Sequence, residues 1–129
     1  MKPTFPSTLL FPGPDHMGIY FSPATGVTLT NWSFEDGKIL TGPVWKDNRP
    51  TYYIFYSHGL SPTSWEFWLE VKVPKTHVSG RDPLIDMAVT GHIVHGNEMK
   101  SAEFKRFLSQ FPEWSYPVGW TASYKMFKF

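Results

Sequence analysis

The sequence has no cysteine, no long apolar run and almost no net charge. Without cysteine, the chain can form neither a disulfide nor a thiolate-bound metal site. No stretch approaches the roughly 18 consecutive apolar residues of a membrane-spanning helix. Twelve Lys and Arg residues against eleven Asp and Glu residues leave a formal charge of +1. The chain therefore lacks the basic stripe with which proteins neutralise nucleic acid phosphates, and we expect no nucleic acid partner.

Aromatic residues are abundant instead, at 18% of the 129 residues. Large rings bury about 150–250 Å² each, and a chain of this length buries roughly two-thirds of its unfolded surface. We expect one domain, residues 17–129, with a core built of rings more than of Leu and Ile. Residues 1–16 are rich in Pro and Gly, which predicts a linker or an edge-covering arm. Because they contain no apolar signal-peptide region, another segment would have to deliver a domain that works outside the cytosol.

The clearest periodic pattern lies at residues 65–73, where apolar and polar side chains alternate with a period of two. Such alternation predicts a half-buried β-strand. Trp68 is the exception, since it places a large ring among the polar positions. The preceding segment, residues 52–58, is apolar on both faces, which predicts a central strand covered on both sides. With a connecting loop of five residues, the two segments predict an aromatic hairpin over residues 51–73.

Shorter segments predict the remaining elements. Strands are expected at residues 17–22, 27–34, 84–95 and 120–129, with a weaker one at 38–45. A helix is predicted by the one-face spacing of Phe104, Phe107, Leu108 and Phe111, with Ser101 as its N-cap and Pro112 as its stop. The predicted fold class is all-β with one helix: an antiparallel β-sandwich, with the helix near residues 101–111 capping the sheets.

Histidines and carboxylates form no recognisable catalytic set. His92 and His95 have a spacing that resembles a zinc motif, but residues three apart on a strand point to opposite faces, and zinc needs three or four ligands. Glu66 and Glu70 share one strand face about 13 Å apart at the strand rise, which exceeds the carboxylate spacing of glycosidases. We expect no metal, no cofactor and no catalytic residue in this chain.

His58 leaves one catalytic interpretation open. With Ser57 and Ser61 nearby, it would suit a small hydrolase that uses His58 as its base. A serine hydrolase also needs an orienting acid, and the sequence has no G-x-S-x-G nucleophile elbow. A loop histidine that hydrogen-bonds to the turn is the simpler interpretation, and the hydrolase stays a third hypothesis.

Tryptophans are the candidates for binding. Flat rings stack on the apolar faces of sugars, and the candidate rings for such a platform are Trp45, Trp68, Trp114 and Trp120. The same rings could instead pack in the core or between the sheets, and two coplanar, solvent-facing rings would favour sugar. Asn31 begins an N-x-S pattern, which is an N-glycosylation acceptor only if the domain is luminal.

Two parts of the chain resemble one protein family. The segment FYSHGL at residues 55–60, followed by SWEFWLEVKV at 64–73, resembles the C-terminal domain of the endoplasmic reticulum metallopeptidases, the Felix-ina group. The closing segment FPEWSYPVGWTASYKMFKF at 111–129 resembles the end of that domain. The resemblance spans the chain from about Met17 onward and rests on the order of aromatic residues rather than on a catalytic motif.

The resemblance implies a larger parent protein. Such proteins carry a zinc-dependent aminopeptidase-like domain first, then several membrane-spanning helices, then this domain on the luminal side. The zinc ligands belong to the first domain, and no position in this chain matches them. The Pro-rich start would then be the tether that leaves the last membrane helix.

We therefore expect a non-catalytic luminal accessory domain of an endoplasmic reticulum membrane zinc metallopeptidase. It would serve folding, partner binding or substrate presentation, with the parent's peptidase domain or another luminal protein as its partner. The expected binding surface comprises Trp45, His58, Trp68, Trp114 and Trp120, and the expected glycosylation site is Asn31. The alternative is a carbohydrate-binding β-sandwich module that uses exposed tryptophans. The sequence does not predict the oligomeric state.

Overall fold

The alternation of apolar and polar residues in the sequence corresponds to two antiparallel sheets in the computed structural model. The structure describes residues 7–11 (as a strand only), 13–14, 16–57, 59, 64–76 and 81–129. The described residues form nine strands and one α-helix. In chain order these are β1 (Ser7–Phe11), β2 (His16–Pro23), β3 (Thr28–Trp32), β4 (Val44–Trp45), β5 (Arg49–Pro50), β6 (Tyr52–Ser57), β7 (Trp65–Lys72), β8 (Ile85–Ile93), α1 (Ala102–Leu108) and β9 (Thr121–Lys128). None of the described helices is long and apolar enough to cross a membrane.

The larger sheet has four strands in the order β6-β2-β8-β9, and the smaller sheet has three in the order β1-β7-β3. Strands β4 and β5 form a separate two-stranded ribbon. All pairings are antiparallel, with Tyr20 opposite both Tyr53 and Ala88 in the larger sheet. The predicted all-β class, its antiparallel sheets and its single helix are confirmed.

The core lies between the two sheets and, among the described residues, combines five aromatic rings with eight aliphatic and methionine side chains. Phe21 of β2 stacks on Tyr52 of β6 with ring centroids 5.2 Å apart, and it meets Trp32 of β3 edge-on at 6.2 Å. A second contact between the sheets joins Tyr56 of β6 to Trp65 of β7, with parallel rings 4.4 Å apart. Side chains from both sheets thus belong to one buried cluster, which makes the structure a β-sandwich.

Strand β7 confirms the alternation that predicted it. Trp65, Phe67, Leu69 and Val71 are buried, whereas Glu66, Trp68 and Lys72 are exposed on the opposite face. Strand β7 lies in the centre of the smaller sheet because β1 and β3 pair with its two edges.

The predicted aromatic hairpin is wrong. Strand β6 pairs with β2 in the larger sheet, whereas β7 pairs with β1 and β3 in the smaller one. The connection between them therefore passes from one sheet to the other. Alternation along a strand shows which side chains face the core, but it does not specify the neighbouring strand. A short loop between two apolar segments suits either arrangement.

The expectation that residues 52–58 form a doubly covered central strand is also wrong. Strand β6 is an edge strand of the larger sheet. Its inward residues are buried or half-buried, but Tyr53 and Phe55 point outward and are about half exposed. The two-faced apolar pattern thus arises from an apolar outer surface rather than from a second covering layer.

Strand β1 falls inside the Pro-rich segment. It pairs with β7 from Ser7, opposite Leu69, to Phe11, opposite Trp65, and lies at the edge of the smaller sheet. Strand β2 begins at His16. The division of the chain into an arm at residues 1–16 and a domain at 17–129 stays a prediction.

Helix α1 begins where the sequence predicts it. The Ser101 hydroxyl accepts a hydrogen bond from the Phe104 N–H at 3.2 Å, which is the N-cap arrangement. The helix has no buried residue, and its side chains do not contribute to the core or pack against it. It adjoins the start of β9 instead, where the Ser101 N–H donates to the Thr121 hydroxyl.

Phe67 is 2% exposed in the middle of the core, so Phe67→Ala should lower the free energy of unfolding by about 3–5 kcal/mol. Urea unfolding measures the change. Glu66→Ala, on the outer face of the same strand, is the matched control and should change it by less than about 0.5 kcal/mol. A larger cost at Glu66 than at Phe67 would mean that the two strand faces are assigned in reverse.

Phe107 lies on α1 and is 52% exposed. Because it does not contact the core, Phe107→Asp should lower the free energy of unfolding by less than about 1 kcal/mol. Thermal and urea melts would test this value. A loss above about 3 kcal/mol, as for a buried aromatic, would show that the helix covers the core after all.

Candidate functional site

The outer face of the four-stranded sheet carries large apolar side chains. Cross-strand partners lie on the same face of a sheet, and the register places two rows there. One row is Tyr53, Tyr20, Ala88 and Met126, and the next is Phe55, Gly18, Thr90 and Tyr124. We call the surface formed by Tyr20, Tyr53, Phe55, Tyr124 and Met126 the aromatic face.

The aromatic face is comparable in area to the largest apolar patch of a typical monomer. Its five side chains have exposed fractions between 47% and 64%. About half of the 150–250 Å² that a large ring can bury, taken over five side chains, is on the order of 500 Å². The largest apolar patch of a typical monomer is about 300–600 Å² and is often functional. The aromatic face is therefore large enough to be a binding surface.

The β4–β5 ribbon borders this face and turns it into a groove of about 380 Å³. Val44 and Trp45 of the ribbon line one side, and Tyr20, Tyr124 and Met126 line the other. Val44 is 66% exposed and Trp45 is 50% exposed. The ribbon thus extends the apolar surface beyond the plane of the sheet.

Arg49 anchors the ribbon to the sheet through three nitrogen atoms. Nη1 lies 2.7 Å from Oδ2 of Asp86. Nη2 donates to the Ser22 carbonyl at 2.7 Å, and Nε donates to the Pro23 carbonyl at 2.8 Å. Both charged side chains are only 16% exposed. A planar guanidinium with several fixed donors suits such a junction, whereas the single ammonium of Lys does not.

Two further contacts fix the groove wall. The Ser22 hydroxyl donates to the Pro50 carbonyl at 2.9 Å, which joins β2 to β5. The Arg49 guanidinium carbon lies 5.5 Å from the centre of the Trp45 ring, a cation–π distance. Trp45 is therefore held in place at the groove before any partner arrives.

Tyr20 and Tyr53 form the centre of the aromatic face, with ring centroids 4.4 Å apart. The Tyr53 ring also lies over Gly18, where a Cβ would come within 3.2 Å of it. Partial burial raises the pKa of Tyr53, and the neighbouring Tyr20 raises it further through its charge and its hydrogen bond.

The lining of the groove is mainly apolar. The Ser22 hydroxyl and the Asp86 carboxylate already bond to the ribbon, and the other side-chain polar groups of the lining are the hydroxyls of Tyr20, Thr51 and Tyr124. A sugar needs several hydrogen-bonding groups beside its stacking ring, whereas an apolar protein surface needs mainly matching shape. The groove is better suited to an apolar protein segment than to a sugar.

The structure does not gather the predicted tryptophans on one platform. Trp45 lines the groove, whereas Trp68 is 36% exposed on the outer face of the other sheet. Trp114 follows α1 and is 80% exposed, and Trp120 immediately precedes β9. His58 lies outside the described residues. Binding by these residues stays a prediction.

Asn31 is half-buried on β3, at an irregularity in the pairing with β7. Its side-chain oxygen accepts a hydrogen bond from the Trp32 N–H at 2.9 Å. The hydroxyl of Ser33, the third residue of the acceptor pattern, accepts from the Trp68 N–H at 3.1 Å. Glycosylation of Asn31 stays a prediction.

Three histidines lie near one end of the larger sheet. His16 is opposite His92 across the β2–β8 pair, and the rings of His16 and His95 are 6.3 Å apart. His92 Nδ1 accepts a hydrogen bond from Nε1 of Trp120 at 3.1 Å. Across the described part of the chain, no group of three His, Cys, Asp or Glu residues is placed to hold a metal.

The aromatic face was not predicted from the sequence. The sequence pattern of β6 does indicate it, because Tyr53 and Phe55 make the outer face of that strand as apolar as its inner face. Tyr124 and Met126 of β9 have the same spacing of two. An apolar outer face indicates either a second covering layer or a binding surface, and only the tertiary structure separates the two.

The family model and the relatives that the chain matches all carry the same name. The chain matches the family described as "Endoplasmic reticulum metallopeptidase 1, C-terminal domain" over residues 4–127. It is 33% identical, over all 129 residues, to the proteins named endoplasmic reticulum metallopeptidase 1 from Homo sapiens, Mus musculus and Rattus norvegicus. The chain spans 13% of the length of each of these relatives. No solved structure matches the chain.

Arg49→Ala should lower the free energy of unfolding by about 2–4 kcal/mol, because it leaves the Asp86 carboxylate largely buried without its partner. Asp86→Ala in the Arg49→Ala background should then cost less than it does alone. A double-mutant cycle in urea measures this coupling. Additivity within about 0.5 kcal/mol would contradict the anchoring role of the pair.

Proposed function

Because the chain belongs to the endoplasmic reticulum metallopeptidase 1 C-terminal domain family, we propose that it is a non-catalytic luminal accessory domain of a longer membrane metallopeptidase. In this proposal, the peptidase part of the same polypeptide holds the zinc and performs the hydrolysis. The accessory domain docks on that part through the aromatic face and the groove. Docking supports the folding of the parent or the presentation of its substrates.

The observation that carries the proposal is the aromatic face beside a fixed groove wall. Five large side chains are about half exposed, and Trp45 stands next to them in a position set by Arg49. Protein interfaces are enriched in Tyr, Trp, Phe and Met at their centres. With Val44 and Trp45 included, the surface approaches the roughly 800 Å² that each partner contributes to a standard interface.

The length of the relatives supports a partner within the same polypeptide. The chain corresponds to 13% of each relative, so most of such a protein lies outside this domain. Covalent linkage raises the effective concentration of two domains into the millimolar range. A surface that binds the peptidase part with modest affinity is then occupied for most of the time in the complete protein. Its exposure in the separate domain is consistent with a docking role.

A carbohydrate-binding module is less well supported. Trp45 and Trp68 lie on opposite sides of the sandwich, so they cannot stack on one oligosaccharide. The groove also has its Ser22 and Asp86 side chains engaged within the fold. Saturable binding of an oligosaccharide that is lost in Trp45→Ala would favour the module over the docking domain.

Docking can be tested by photo-crosslinking in the full-length parent protein. A photoreactive phenylalanine at position 124, on the aromatic face beside the groove, should form crosslinks to the peptidase part of the same polypeptide. Position 124 is suitable because Tyr124 is 64% exposed and does not belong to the core. Mass spectrometry of the crosslinked peptides identifies the partner segment.

The matched control places the same photoreactive residue at position 68. Trp68 is also an exposed ring on a strand, but it lies on the outer face of the smaller sheet. We expect no peptidase crosslinks from that position. Equal crosslinking from both positions, or none from position 124, would overturn the proposal.

A further inference from the structure

The segment between α1 and β9 exposes three large apolar or aromatic side chains almost completely. Trp114 is 80% exposed, Tyr116 is 90% exposed and Val118 is 92% exposed. These fractions exceed those of the aromatic face, whose side chains are about half covered by their neighbours. We call Trp114, Tyr116 and Val118 the outward row. The row belongs to a different part of the surface from the groove, since none of its members lines it.

The outward row lies on a loop that contacts the rest of the domain at two positions. Ser115, between Trp114 and Tyr116, is half-buried, and so is Gly119, directly after Val118. A Cβ at Gly119 would lie 2.9 Å from the tip of the Phe104 ring, so the backbone at Gly119 packs directly on the helix. Gly119 thus holds the end of the loop against α1. The three side chains of the outward row are 80–92% exposed, so they project from this loop into solvent.

The segment is held in one place by its surroundings. The Ser115 N–H donates to the Pro112 carbonyl at 2.9 Å and closes a turn. Beyond the row, the Thr121 hydroxyl accepts from the Ser101 N–H at the start of α1. Pro112 and Pro117 further restrict the backbone. The row is therefore presented in a fixed arrangement, which lowers the entropic cost of binding.

The charge pattern identifies the kind of surface that such a row binds. The sequence WSYPVGWTASY, from residue 114 to residue 124, contains no charged residue and is flanked by Glu113 and Lys125. Trp and Tyr combine an apolar ring with a polar tip, and they prefer the boundary between hydrocarbon and water. A projecting, uncharged row of this composition matches the interfacial layer of a bilayer. It offers no charge with which to select an acidic or basic partner.

We propose that the outward row inserts into the interfacial layer of a phospholipid bilayer with zwitterionic headgroups. Val118 and the rings of Trp114 and Tyr116 enter the boundary between headgroups and acyl chains, where the indole N–H and the phenol hydroxyl keep polar partners. This contact goes beyond the docking function and uses separate residues. It orients the domain at the membrane surface and leaves the aromatic face available to the peptidase part.

The contact should be weak in the separate chain. A single myristoyl group binds bilayers with a constant of about 10⁴ M⁻¹, and three side chains bury less hydrocarbon than that. We expect half-saturation of the 129-residue chain at about 1 mM accessible phosphatidylcholine or above. Because the row is uncharged, binding should be insensitive to salt, whereas headgroup electrostatics would weaken as salt screens them.

Co-sedimentation of the 129-residue chain with phosphatidylcholine vesicles tests the proposal. The variant Trp114→Ser/Tyr116→Ser/Val118→Ser should bind at least about tenfold more weakly, because it removes three apolar contacts with the lipid. Its fold should be unchanged, since all three side chains are exposed in the structure. Vesicles with brominated acyl chains should quench the tryptophan fluorescence of the wild-type chain, and much of that quenching should be lost in Trp114→Phe.

The matched control is Trp45→Ser, which changes an exposed tryptophan of the groove and should leave vesicle binding unchanged. Absence of vesicle binding at about 10 mM lipid, or equal binding by the triple variant, would overturn the proposal. Binding that requires anionic lipid and disappears at high salt would also overturn it. None of these three results would bear on docking, which is measured by crosslinks from position 124.

Discussion

Ring packing between the two sheets is the interaction on which the rest of the structure depends. Phe21, Tyr52 and Trp32 meet across the sandwich, and Tyr56 stacks on Trp65 at the other contact. A sandwich of two layers covers one face of each sheet and leaves the other face to solvent. The four-stranded sheet has apolar residues on both faces, so its outer residues remain exposed once the core is formed. The candidate site is a direct consequence of that arrangement.

Arg49 links the core architecture to the candidate site. Its guanidinium bonds to the end of β2 and to the start of β8 while its own backbone lies in the ribbon. The ribbon is only two residues long on each side and has too few backbone hydrogen bonds to be stable by itself. The ion pair and the carbonyl contacts therefore position Trp45, and with it the wall of the groove. A fixed wall lowers the ordering cost when a partner binds.

The sequence was sufficient to predict the strands that have one buried apolar face and one exposed polar face. The alternation at residues 65–73 predicted the start of β7, its end to within one residue and its four buried residues, and Ser101 predicted the start of α1. The partners of β6 and β7 could not be predicted, because alternation orients a strand without specifying its neighbour. The strand at Ser7–Phe11 lay within a Pro-rich segment whose composition indicates a loop. Its role depends on the free edge of β7, which only the assembled sheet provides.

The site was harder to predict than the fold for a physical reason. Tyr53 and Phe55 have the same residue types as core rings, and only the absence of a third layer distinguishes their environment. The anchor at Arg49 joins residues more than 25 positions apart in the chain, so no local spacing indicates it. The resemblance to the endoplasmic reticulum metallopeptidases is confirmed by the family match over residues 4–127 and by relatives that are 33% identical over the whole chain.

The central claim is that the aromatic face is covered in the complete parent protein. Hydroxyl-radical footprinting of the 129-residue chain and of the full-length protein measures this directly, since Tyr124 and Met126 are both reactive and exposed in the separate domain. The account predicts that oxidation of these two residues falls several-fold in the full-length protein while oxidation of Trp68 is unchanged. Equal oxidation of Tyr124 and Met126 in both proteins would contradict it.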